Sequence, residues 1–288
     1  MRFETPRSIE EAVDLITSEP GLTRILAGGT DVLVQLKSGL VEPDLIVDIK
    51  RIAGMHEIVE EAGGYRIGAA VSGAELGEHD AVRAQWPGVV EALELIGSTQ
   101  IQGRATMAGN LCNGSPAADS VPAMVAADAQ VTLAGPNGSR SVPVAEIPVG
   151  PGKTSLEKGE FVTSIFLPPR PERASDAYLR FIPRTEMDIA VAAAGVSLVF
   201  DNAGICTGAR VALGAVAPTV VLVDDAASVL IGTDLNDAAL DALGSACSAA
   251  CNPIDDKRGT IEYRRDVAAV LAKRAAGIAK DRSLGAGP

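Results

Sequence analysis

The chain has 288 residues, 47% of them hydrophobic but only 3% aromatic, and a formal net charge of −12. That length exceeds one typical domain, and Ala, Val, Leu and Ile must fill the cores in place of aromatics. The negative charge argues against nucleic acid or an anionic membrane as partner. Residues 1–6 carry no apolar signal core, and no stretch approaches the roughly 18 apolar residues of a membrane span. The chain reads as cytoplasmic. Four cysteines (Cys112, Cys206, Cys247 and Cys251) are too few and too scattered for a secreted disulfide framework. With only His56 and His79 beside them, they argue against a protein-held zinc or iron–sulfur site.

Taken in order, Ser8 and Glu11 are spaced as a capping box. Ile9, Ala12, Val13 and Ile16 follow at helical spacing, and Pro20 stops the run. Residues 24–27 read as a strand, 31–38 as a helix closed by Gly39, and 45–49 as a second strand. This is a compact βαβ unit with Gly28 and Gly29 at its strand-to-helix junction. Adjacent glycines let the backbone approach a ligand that a Cβ would hold off. The helix behind them offers free N–H groups and a positive dipole end to a phosphate. The plainer alternative is that the two glycines only turn the chain.

Residues 57–69 look like an antiparallel hairpin around Gly63-Gly64. Ser72 with Glu75 caps a short helix, residues 87–96 form an amphipathic one, and 97–113 read as a polar loop. Residues 122–128 are helical in character. Residues 130–134, 140–144 and 160–167 are strand-like, with Pro136-Asn137-Gly138 as a turn. The middle region is therefore α+β with an antiparallel sheet. Pro168-Pro169-Arg170-Pro171 marks the clearest boundary. Beyond it, 189–200 and 210–217 read as strands, and 234–250 and 260–276 as two long helices.

Most catalytic constellations are missing. There is no Gly-x-Ser-x-Gly elbow, and two histidines leave little room for a Ser-His-Asp arrangement. Gly152-Lys153-Thr154 resembles the end of a nucleotide P-loop, but Ile147 stands where that motif needs glycine. Asp255-Asp256, between two helices, read as caps and surface charges. Residues 105–119 are richer. They place hydroxyls, amides, backbone N–H groups and one carboxylate within a short span, more than a passive connection requires. Their plainer reading is an Asx- and Ser-stabilised loop.

The pair Ala27-Gly28-Gly29-Thr30-Asp31 and Thr106-Met107-Ala108-Gly109-Asn110, the latter followed by Ser115-Pro116-Ala117-Ala118-Asp119, resembles the FAD-binding medium subunit of the molybdenum hydroxylases. These are the xanthine dehydrogenase and aerobic carbon monoxide dehydrogenase relatives. Arg184, Asp188, Ile189 and Ala190 look like that family's Arg-x-x-x-Asp-Ile-Ala segment, and residues 253–265 look like its C-terminal signature. The likeness is collinear over nearly the whole chain.

The resemblance implies an α+β chain with the FAD-binding PCMH-type fold. Its parts are a small βαβ subdomain (1–52), an antiparallel-sheet α+β subdomain (53–170) and a C-terminal α+β domain of the CO dehydrogenase flavoprotein type (171–288). FAD lies between the first two. Ala27, Gly28, Gly29, Thr30, Asp31 and Val32 are implied to wrap the pyrophosphate through N–H groups and the Thr30 hydroxyl. Thr106, Gly109 and Asn110 contact it from the other side, and Asp119 accepts hydrogen bonds from the flavin end. Ile96, Val162 and Arg180 are implied flavin neighbours, and no residue is implied as catalytic or as a metal ligand. Two departures stand out: Ala108 replaces the family's usual glycine, and residues 100–104 lack the Arg-Asn of many relatives.

The implied function is that of an FAD-carrying electron-transfer subunit of a heteromeric molybdenum hydroxylase. The implied partners are a large subunit with the molybdenum cofactor and a small subunit with two [2Fe-2S] clusters, assembled as a dimer of heterotrimers. Electrons pass from the clusters through FAD to an external acceptor such as a quinone, oxygen or NAD. One rival is a self-contained flavin oxidase or reductase on the same fold. It needs a positioned proton donor or a covalent flavin link, and His56 and His79 lie outside both motifs. The other rival is a scaffold that has lost FAD, against which Thr30, Asn110 and Asp119 speak.

Overall fold

A computed structural model describes residues 1–285 of the chain. The first part contains strand β1 (Arg2–Glu4), helix α1 (Ile9–Ser18), β2 (Thr23–Leu26), α2 (Val32–Lys37) and β3 (Leu45–Asp48). The strands form a parallel sheet in the order β1-β3-β2. Strand β1 was not anticipated: three residues, two of them charged, carry no periodicity to read. Ser8 caps α1 by accepting the Glu11 N–H at 3.1 Å. The box is not closed, because the Glu11 carboxylate takes the N–H of Arg7 instead, at 2.7 Å.

The middle part begins with the hairpin β4 (Ile58–Glu61) and β5 (Gly64–Gly68). Six helices follow: α3 (Gly73–Gly77), α4 (Asp80–Gln85), α5 (Pro87–Glu94), α6 (Thr99–Gln102), α7 (Met107–Cys112) and α8 (Ser120–Ala126). Then come β6 (Gln130–Gly135), β7 (Gly138–Pro143), the small hairpin β8 (Pro148–Gly150) and β9 (Lys153–Thr154), and β10 (Phe161–Leu167). The main sheet is antiparallel with order β4-β5-β10-β6-β7. Ser72 and Glu75 make the complete capping box at α3. The stretch expected to be a polar loop, 97–113, instead holds α6 and α7. Thr106 caps α7, and Met107, Ala108 and Leu111 bury one face of it. Glycine and asparagine within so short an apolar face hid the helical spacing.

The last part has the antiparallel sheet β11 (Ala174–Phe181), β12 (Ala192–Phe200), β13 (Cys206–Gly214) and β14 (Val221–Leu222). Helices α9 (Asp224–Leu230), α10 (Asp237–Ala250) and α11 (Ile261–Ser283) complete it. Strand β11 was missed, and α11 runs past residue 276. Its buried Ala268, Ala272, Ala275, Ala276 and Ala279 let the helix lie close on β11 and β12. One continuous apolar core runs from α1 through β10 and takes in Tyr178, Ala193 and Ala212 of the last part, which also has a second core of its own. Residues 168–171 are packed rather than loose. The Trp86 indole N–H donates to the Pro168 carbonyl at 3.1 Å, and the buried Arg170 guanidinium sits 3.8 Å over the Trp86 ring.

Candidate cofactor site

Strand β2 ends at Leu26, and the chain then turns through Gly28 and Gly29. Gly29 has φ of +80°, a conformation that side chains resist. Gly28 is glycine for another reason: a Cβ there would lie 1.8 Å from the carbonyl oxygen of Arg104. The second loop, and not only a ligand, demands it. Lys50 fixes the start of the turn, its Nζ donating to the Ala27 carbonyl at 3.1 Å while pairing with Asp48 at 2.7 Å. The N–H groups of residues 28–32 have no hydrogen-bond partner among the described residues.

Across the same space, the Thr106 Oγ1 accepts the Gly109 N–H at 2.9 Å and leaves the N–H group of Ala108 without a partner among the described residues. Ala108 takes ordinary helical backbone in the first turn of α7, so the alanine costs no strain. Asn110 is held by Ser120, whose N–H and hydroxyl both reach its Oδ1, at 3.1 and 2.7 Å. A backbone N–H can only donate, so the carbonyl side of Asn110 faces Ser120 and its NH2 group has no partner among the described residues.

The two loops border one cavity of about 440 Å3, within the roughly 300–1,000 Å3 of small-molecule sites. Ala27, Gly28, Gly29, Thr30, Asp31, Val32, Ile96, Thr106, Gly109, Asn110 and Val162 all line it. Unpartnered N–H groups along such a wall suit an anion, so the residues present fit a dinucleotide's phosphates. Sequence reasoning missed Gln35, Leu40, Cys112, Asn113, Gly152 and Thr154, which also line it. Gly152 and Thr154 belong to the segment dismissed as a P-loop remnant. The Gly152 N–H donates to the Gly114 carbonyl at 2.9 Å and so draws that hairpin to the site.

Asp119 and Arg180 are brought together, but not into the lining. The Arg180 guanidinium meets Asp119 Oδ2 at 2.6 Å and the Tyr178 hydroxyl donates to Oδ1 at 3.0 Å. Both carboxylate oxygens are thus engaged by the protein, while Arg180 Nε is buried without a partner among the described residues. Burial pushes the Asp119 carboxyl up to about 6 against the opposing pull of Arg180 and Tyr178. Spacing from Asn110 put Asp119 near the site but could not say which way it faces. Burial also pushes the Cys112 thiol up to about 12. His79 serves as a helix cap, its Nδ1 accepting the Val82 N–H at 3.3 Å, and neither histidine lines the cavity.

A parallel βαβ unit joined to an antiparallel α+β unit around a cavity with two N–H-rich turns defines a nucleotide-binding class of protein. Residues 1–170 match the family described as FAD binding domain in molybdopterin dehydrogenase, and residues 177–279 match the CO dehydrogenase flavoprotein C-terminal domain. The chain belongs to this family of FAD-binding subunits of molybdenum hydroxylases. It is 35% identical to the carbon monoxide dehydrogenase medium chain of Afipia carboxidovorans, over 98% of this chain and 97% of that one. It is 32% identical to a putative xanthine dehydrogenase FAD-binding subunit of Escherichia coli, over 94% of this chain and 93% of that one. In a crystal structure of cyanide-inactivated Cu,Mo-CO dehydrogenase, a chain 35% identical matches with a TM-score of 0.93, covering 98% of each.

Proposed function

We propose that the chain carries FAD within a heteromeric molybdenum hydroxylase and conducts electrons from a partner's [2Fe-2S] clusters to an external acceptor. The observation that supports this most directly is the run of unpartnered N–H groups at residues 28–32, joined by that of Ala108 around one cavity. Residues 27–32 hold the pyrophosphate from one side, and Thr106, Gly109 and Asn110 hold it from the other. Ile96 and Val162 border the flavin. Asp119 and Arg180 serve as a fixed pair beside the lining, Asp119 next in the chain to the Ser120 that holds Asn110. FAD supplies the redox chemistry when bound, and the protein's task is to hold it, orient it and keep water away. No side chain of the cavity needs to move a proton: the lining has no histidine, and the Cys112 thiol stays protonated.

In this reading the chain divides at 1–52, 53–170 and 171–288, and the first two parts, which share a core, form the two sides of the cofactor site. The assembly is a cytoplasmic dimer of heterotrimers with a large molybdenum-cofactor subunit and a small [2Fe-2S] subunit. No described helix is long and apolar enough to cross a membrane. The test is to isolate the chain with whatever accompanies it, record its absorbance spectrum and assay molybdenum and iron. A flavin spectrum with one large and one small partner supports the assignment. A colourless preparation without either partner overturns it.

A further inference from the structure

Helix α2 lies at the edge of the cavity, yet none of its residues is buried. Val34 is 64% exposed and Leu33 51%, although both are apolar. Packing therefore does little to hold this helix in place. Its hydrogen bonds are as sparse. Among the described residues, the backbone bonds of residues 31–40 are all local, and every bond that leaves the segment 29–40 ends on one side chain, Asn113.

Asn113 stands at the C-terminal end of α7, its own N–H bonded to the Gly109 carbonyl at 2.9 Å. Its Nδ2 donates to Asp31 Oδ1 at 3.3 Å, and its Oδ1 accepts from Gln35 Nε2 at 3.1 Å. A carboxylate only accepts, so Asp31 sets the sense of the whole chain of bonds. All three residues line the cavity, with Asp31 at the start of α2, Gln35 within it and Asn113 at the end of α7. The bridge also keeps a donor on the Asp31 carboxylate, a negative group beside the N–H groups meant for phosphate.

We infer that Asn113 is a positioning residue that latches α2 across the cavity and thereby sets how long the dinucleotide stays bound. This rests on the reading of the cavity as the FAD site. Losing the latch frees one wall of the bound state and raises the dissociation rate more than it lowers the association rate.

The experiment follows release of FAD from the full-length chain in its assembly, by the rise in flavin fluorescence after dilution. Asn113→Ala is expected to release FAD about tenfold faster, the effect of two lost hydrogen bonds. Amide exchange in residues 33–38 should rise in the same variant while the sheet strands stay unchanged. Asn113→Asp alone should release FAD faster still, because two carboxylates then meet. Combining it with Asp31→Asn should slow release again relative to Asn113→Asp alone, since Gln35 still finds an acceptor and the exchanged pair still bonds. Release from Asn113→Ala within about twofold of wild type, or no recovery in the exchanged pair, overturns the latch. A wild-type assembly without flavin overturns the site reading, and the latch with it.

Discussion

A methyl group on Gly28 would lie 1.8 Å from the Arg104 carbonyl oxygen, which is backbone and cannot swing away. Gly28→Ala must therefore spread the two loops of the cavity. We expect loss of most bound FAD and about 1–3 kcal/mol of stability, read from flavin content and urea unfolding. Asp119 makes a different prediction. Removing it by Asp119→Ala leaves Arg180 and Tyr178 buried without their acceptor, so the cost is about 3–5 kcal/mol rather than a loss of cofactor alone. Its folded carboxyl titrates at about 6, above its ordinary 3.8. The stability it contributes is full below the lower value and is lost as pH rises through the higher one. The unfolding free energy of the wild type relative to Asp119→Asn should therefore fall between about pH 4 and about pH 6 and level off above that. A constant difference over that window would refute the raised carboxyl.

Among the elements, the segment at 168–171 is read as a boundary from its prolines, and it is also anchored. The Arg170 guanidinium is buried, stacked on Trp86 and 2.7 Å from Asp176. Arg170→Ala should cost about 3 kcal/mol, because it strands the Asp176 carboxylate in the interior, and thermal unfolding of the full chain measures it. The elements that were legible had local causes. Ser8 and Ser72 announced α1 and α3 through their caps, and the turn at Gly63-Gly64 announced the first hairpin. Those that were missed have non-local ones. Strand β1 exists because β3 offers an edge to pair with, and α7 exists because Leu111 and Met107 find a core to enter.

For the molecule as a whole, the cofactor is expected to act as a bridge between the βαβ part and the middle part. A ligand bound only by the folded state at a hundredfold its Kd adds about 2.7 kcal/mol of stability. FAD should therefore raise the unfolding temperature of the chain, and FMN, which lacks the adenosine diphosphate half, should raise it far less at equal concentration. Equal shifts from the two flavins would argue against a cavity built around a pyrophosphate.

The two glycine turns, the hydroxyl and amide of Thr106 and Asn110, and the caps and turns that open α1, α3 and the first hairpin were all determined by the sequence itself. Each depends on a residue and its near neighbours: a positive φ, a cap, a periodicity. Only the tertiary structure decided what those residues face. It turned Gly28 toward Arg104, drew Gly152 and Thr154 into the cavity, and set Asp119 against Arg180 and Tyr178. It also made Asn113 the one side chain that ties α2 to the other loop, among the described residues. Contacts between residues some eighty positions apart leave no local periodicity, and they exist only once both loops have been packed against the same core.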